Sequence, residues 1–227
     1  MPSLAHTPPF LMARLLEFNL LPSRSLHAER AQALLDAGPA PAHLLNQPAV
    51  QRALHRRWSA ELLARLGDHA APVHDVTLPA LPLALAAQPL LARLVRDAGV
   101  LLLGGHLRRT IAREPVLQAR TELGADSLAW ARNGAAQLHP GLDDAQPWLG
   151  AGWAPAADAL GSSLLAQAWH DAPAPLRLRA DWKLPPAADS AATRQASGLQ
   201  PAAARAVCLQ LLSRLDPAWL SNFPATR

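Results

Sequence analysis

Tyrosine is missing from this 227-residue chain, cysteine occurs once, at Cys208, and lysine once, at Lys183. A single cysteine excludes an internal disulfide and cannot build a thiolate zinc site, which agrees with a reducing compartment. Charged residues make up only 17% of the sequence, and half of it is apolar, so the composition lies far from that of a disordered chain. No uncharged apolar run reaches the ~20 residues that cross a bilayer; Ala98 to Leu107 is among the longest. The first ten residues lack a basic start followed by an apolar stretch, so no secretory signal is expected and the cytoplasm is the expected location.

Catalytic spacings are missing too. Nine histidines include no His-Glu-x-x-His pair; the nearest two are His69 and His74, in a proline-bearing stretch. Gly161-Ser162-Ser163 is followed by leucine and lacks the strand-to-helix setting of a serine nucleophile. The glycines of 99–105 and 150–152 have no Gly-Lys-Ser/Thr ending, so they are expected to serve packing or loops and not a phosphate. Cys208 falls on an apolar helix face with no neighbouring histidine, as an inert buried thiol would. No catalytic, cofactor-binding or metal-binding residue is assigned, and the expectation is a protein that is not an enzyme and takes no cofactor.

What is abundant is leucine, alanine, arginine and proline. Arginine supplies twenty of the 21 Lys and Arg residues, a skew that fits GC-rich coding more than function, and the formal net charge is only +4. The length suits one core, and apolar residues at helical spacing, cut apart by 22 prolines, predict a mainly α, single helical domain over 1–227. Helices are expected at 28–37, stopped by Gly38-Pro39; at 47–66, with a Val50, Leu54, Trp58, Leu62, Leu66 stripe and an end at Gly67; and at 156–170 and 201–215. The segment 89–113 is expected to be the central helix, apolar all round at Val100 to Leu103; Gly99 and Gly104 within it suggest a kink or a close-packed backbone. Pro115 opens a helix expected to run to Arg132.

Between helices, residues 68–88 with Pro72, Pro79 and Pro82 are expected to be extended and wrapped over a helical surface. Residues 138–155 read as a loop anchored by Trp148 and Trp153, and 186–200 as a flexible linker. One β-strand or hairpin is predicted near 175–184, where Leu176, Leu178, Ala180, Trp182 and Leu184 alternate with Arg177, Arg179, Asp181 and Lys183.

Four arginines are candidate partner-binding residues. Arg108 and Arg109 close the central helix, where they complement its negative end or pair with a partner's carboxylates. Arg56 and Arg57 lie mostly off the apolar stripe of 47–66, on a face that solvation alone explains. Scattered arginines leave a second function class open, a basic helical nucleic-acid-binding or regulatory protein, which would need them gathered on one surface.

The order of Gly99, Gly104, the Arg108-Arg109 pair and Pro115 resembles that of the SctK family (YscK, PscK), cytosolic adaptors of the bacterial type III secretion sorting platform. Phe18-Asn-Leu-Leu-Pro22 followed by Leu26-His27, then Trp182-Lys-Leu-Pro185, then the closing helix with its aromatic tail, resemble further portions of the family; 38–48 and 186–198 look like insertions. The resemblance implies a non-enzymatic scaffold that is not itself exported. Its implied partners are the pod protein (SctQ type) and the cytoplasmic domain of the inner-membrane ring protein (SctD type), with the stator and ATPase reached indirectly. It also implies a cytoplasmic place at the inner-membrane apparatus, without nucleic acid and without membrane insertion.

Overall fold

The computed structural model describes residues 8–36, 47–190 and 195–224; it is helical, with no strand among them. The expected stop at Gly38-Pro39, most of the 38–48 insertion and residues 191–194 of the expected linker lie outside the described residues. Contacts gather the chain into two compact units: one drawn from Met1–Gln88, Ala172–Pro186 and Ala218–Arg227, the other from Pro89–Asp171 and Ala187–Pro217.

In the first unit, α1 (Pro9–Leu20) places proline in its first turn and buries Leu11, Leu15 and Phe18. Helices α2 (Ala28–Asp36) and α3 (Pro48–Arg65) match the expected segments to within a residue or so. The stripe of α3 is only half-buried over most of its length, Leu62 being its buried member within the helix. The stretch expected to be extended starts in a 3₁₀ turn (Gly67–His69) and has no regular structure around Val73, whose N–H and C=O both bond the buried Asn19 amide, at 2.8 and 2.9 Å. One side chain thereby does for Val73 what a neighbouring strand would. The second half of the segment departs from the expectation, being turns at 76–77 and 79–80 and a buried turn of helix, α4 (Leu81–Leu85).

The predicted strand at 175–184 is instead α9 (Ala174–Asp181), with Pro173 before it and Pro175 in its first turn. Period-two alternation assumed that every basic residue faces water. The helix buries Leu176, Arg179 and Ala180, and the following turn buries Lys183 and Leu184, a spacing of three and four that includes two cations. Lys183 is 3% exposed and donates from Nζ to Ala84 O at 2.6 Å and Ala86 O at 2.5 Å, carbonyls left open at the end of α4. Arg179, 2% exposed, donates to Ala70 O at 2.7 Å and Pro175 O at 2.8 Å, while its Nε finds no partner. Burial pushes the Lys183 ammonium down to about 7, with Arg14 adding to the shift and Glu17 opposing it.

In the second unit, α5 (Gln88–Arg109) is the buried central helix, with every residue from Ala98 to Gly105 buried. It crosses α8 (Trp153–Ala168) at backbone contact: a Cβ on Gly99 would stand 1.8 Å from Ala157 O, and one on Gly161 would stand 1.8 Å from Val95 O. Gly104 has no comparable constraint; the second close approach is at Gly105, where a Cβ on Gly141 (φ +93°) would lie 2.4 Å from the Gly105 nitrogen. Beside it the Leu142 N–H donates to Leu102 O at 2.7 Å, stitching the 138–145 loop onto the helix.

The helix expected from Pro115 to Arg132 is two, α6 (Arg113–Leu123) and α7 (Ala125–Asn133), parted by Gly124 at φ +88°, ψ 154°. That conformation is open only to glycine, so the chain turns there and does not continue. Glu122, near the end of α6, accepts the Ala154 N–H at 2.9 Å and so supplies the carboxylate that caps α8. Of the two indoles expected to anchor 138–155, Trp153 is buried and Trp148 half-buried. Helix α10 (Pro201–Leu215) packs along α8 through Ala204, Val207, Cys208, Leu211 and Leu212, with Leu215 half-buried. The described ends of the expected linker form single 3₁₀ turns, Pro186–Asp189 and Gln195–Ser197, that bury Ala188 and Ser197. A short α11 (Pro217–Leu220) follows; its buried Trp219 belongs to the first unit and donates from Nε1 to Pro82 O at 3.0 Å.

Candidate interaction surface

Of the four arginines singled out in the sequence, Arg108 and Arg109 end α5 in one unit, and Arg56 and Arg57 lie on α3 in the other. Arg56 is exposed, and Arg57 pairs with Glu61 one turn on, at 2.9 Å. Arg108 is half-buried. Its Nη1 donates to Ala131 O at 3.2 Å, filling a carbonyl in the last turn of α7, and its Nη2 donates to Pro140 O at 2.5 Å. Arg109 reaches Asp143 O at 3.2 Å. Both arginines therefore act first as internal staples between helix and loop, using part of the five-donor guanidinium fork.

Arg108 also has a second setting. Where α5 turns into α6, the connector residue Ile111 is 91% exposed, and Leu117 on α6 is 43% exposed. With the half-buried Val116 they floor a cleft of about 600 Å³ whose rim carries Arg108, Arg113 and Arg132, with no acidic residue among its lining. Arg132 comes from α7 and is fixed there by an Nη2 bond to Thr110 O at 3.0 Å. Covering an isoleucine left in water gains about 2 kcal/mol, so an apolar floor ringed by cations is a surface with binding energy in reserve. The sequence contained one sign of it: a β-branched apolar residue stands between helix-ending arginines and Pro115, just where a connector is expected to be polar.

Three other arginines of this unit, Arg96, Arg205 and Arg214, each meet an acid or a ring. In a cleft of about 270 Å³, Arg96 makes a two-point pair with Asp158, both bonds 2.8 Å. Arg214 stacks 4.1 Å over Trp130, and burial raises the Asp97 carboxyl pKa while Arg214 and Arg93 hold it back. A third cleft, of about 530 Å³, is lined by amides and His170.

Two groups have the elements of nucleophilic chemistry without the access. Ser23 Oγ lies 3.0 Å from His55 Nδ1, yet it also bonds His55 O at 2.9 Å and Ser59 Oγ at 2.8 Å and is 4% exposed. Burial and Arg24 lower the His55 pKa, against Glu17, so the set ties the Pro22–Ser25 turn to α3 as a neutral hydrogen-bonded knot. Cys208 is fully buried and its thiol is pushed far up by that burial. Among the described residues no three histidines, cysteines or carboxylates gather around a point, and no helix is long and apolar enough to cross a membrane.

Comparison with family models, with curated proteins and with solved structures yields no match.

Proposed function

We propose that this chain is a non-enzymatic adaptor of a bacterial type III secretion sorting platform. It joins the cytoplasmic domain of the ring protein (SctD type) to the pod protein (SctQ type), and it works in the cytoplasm at the inner-membrane apparatus. Support comes from the shared order of Gly99, Gly104, Arg108-Arg109 and Pro115 with the SctK pattern, together with the likenesses near the two ends. The observation that carries a binding role is the exposed Ile111 on a floor whose lining holds three arginines and no acid. Helices crossing at backbone contact supply the stiffness a linker between two larger bodies needs.

The test is co-purification. The tagged chain is offered the SctQ-type protein and the SctD-type cytoplasmic domain from the same genome, singly and together. Retention of both, with a ternary complex when all are present, is the expected result. Retention of neither overturns the adaptor role.

A further inference from the structure

Five large apolar side chains are exposed among the described residues, and they fall in two places. Phe10, Leu16 and Leu20 lie on α1, where Phe10 packs edge-on to Trp219 and under Arg14, and where Arg14 and Arg24 pair with Glu17. On that face Arg14 and Arg24 share the Glu17 carboxylate, and nothing there says what would cover it. Ile111 and Leu117 differ: the charged residues that line their cleft are all arginines, and Glu114, exposed on the same first turn of α6, is not among that lining.

We infer that the α5–α6 corner is a docking site for an acidic peptide segment of a partner protein, one that seats an apolar side chain on Ile111 and Leu117 and turns carboxylates toward Arg113 and Arg132. This rests on the adaptor role and names the chemistry its partner brings. The argument is complementarity on three counts. An Ile side chain 91% exposed asks for an apolar cover. Arg113 is exposed at the start of α6, and Arg132 is held by a single bond to Thr110 O, which leaves donors on its fork for a carboxylate. The cleft has no acid of its own to compete, while Arg108, fixed at two carbonyls, keeps the cationic rim in place. A cleft of about 600 Å³ takes one or two side chains and the backbone between them. Duplex nucleic acid presents charge without an apolar anchor, and Arg108 and Arg109 already spend donors inward, so a peptide fits better.

The experiment selects a random displayed peptide library on the folded chain, with counter-selection on the Ile111→Ser/Arg113→Glu variant. Both positions are exposed, and circular dichroism checks that the variant keeps its helix content. The expected winners carry net negative charge around at least one large apolar residue. Measured by fluorescence anisotropy, they bind roughly tenfold or more weakly to Ile111→Ser and to Arg113→Glu, and with unchanged affinity to Arg57→Glu on α3. Peptides in which each acid is replaced by lysine fail on the wild-type chain and recover on the doubly reversed Arg113→Glu/Arg132→Glu. No enrichment, enrichment without acidic bias, or equal binding by the variants overturns the inference. So does a labelled duplex oligonucleotide that binds more tightly than the peptides and is lost with Arg113→Glu. Co-purification of the same variants separates the two proposals: full retention of both secretion partners by Ile111→Ser/Arg113→Glu leaves the adaptor standing and removes this site from it. Acidic peptide binding without either partner does the reverse.

Discussion

Helix α9 with the turn that follows it and the last turn of α5 each use a pair of cations to bond backbone carbonyls, yet one pair is sealed inside its unit and the other stands at a rim. Lys183 and Arg179 are almost without exposure, and all their described acceptors are carbonyl oxygens of their own unit. Arg108 and Arg109 make the same kind of bond but remain partly open to solvent. A cation that is wholly used up holds a fold together. One that is partly used can hold the fold and still have donors for something outside.

The sharpest way to break this comparison is to shorten the buried member. Lys183→Ala leaves Ala84 O and Ala86 O without their donor and opens a gap beside α4, so a loss of about 3 kcal/mol is expected in urea unfolding followed by circular dichroism. Acidity offers a second handle. Unfolded Lys183 holds its proton up to the ordinary 10.5, whereas the folded one gives it up near 7. In the window between, the unfolded chain binds the extra proton, so unfolding free energy rises with pH from about 7 toward 10.5. Lys183→Met removes that slope; the same slope in both proteins would place its origin elsewhere.

At the rim the effects shrink. Arg108→Ala loses two bonds to carbonyls that water then reaches, an expected cost of about 1 kcal/mol with the helix content unchanged. Arg57→Ala removes an exposed pair with Glu61 one turn away and is expected to stay within about 0.5 kcal/mol of the parent. A cost for Arg108→Ala equal to that of Lys183→Ala would erase the distinction between sealed and rim cations.

Helices whose polarity matched their burial were legible in the sequence. Helix α5 announces itself by a run apolar on every side, closed by arginines, and α3 by its apolar spacing and Gly67 just past its end. Helix α9 was not legible, because a basic residue it hides, Arg179, and one in the turn after it, Lys183, alternate with apolar residues, so period two and period 3.6 fit the same letters. What decides between them is a pair of open carbonyls after α4, about a hundred residues away in sequence, waiting for Lys183. The break at Gly124 was hidden for a different reason: glycine is tolerated inside helices, and only its φ of +88° marks it as a turn. At the interaction surface Arg108 could be picked out from its place at a helix end. Arg132 could not, since it joins the rim only through the turn that brings α7 back to Thr110.

The chain's only lysine is also among its most deeply covered polar groups, and that makes Lys183 a natural chemical clock. An acylating reagent reaches Nζ only when the turn after α9 lifts away from the carbonyls that hold it, so the rate at which this one residue gains an acyl mass reports how often that turn opens. No second lysine blurs the count.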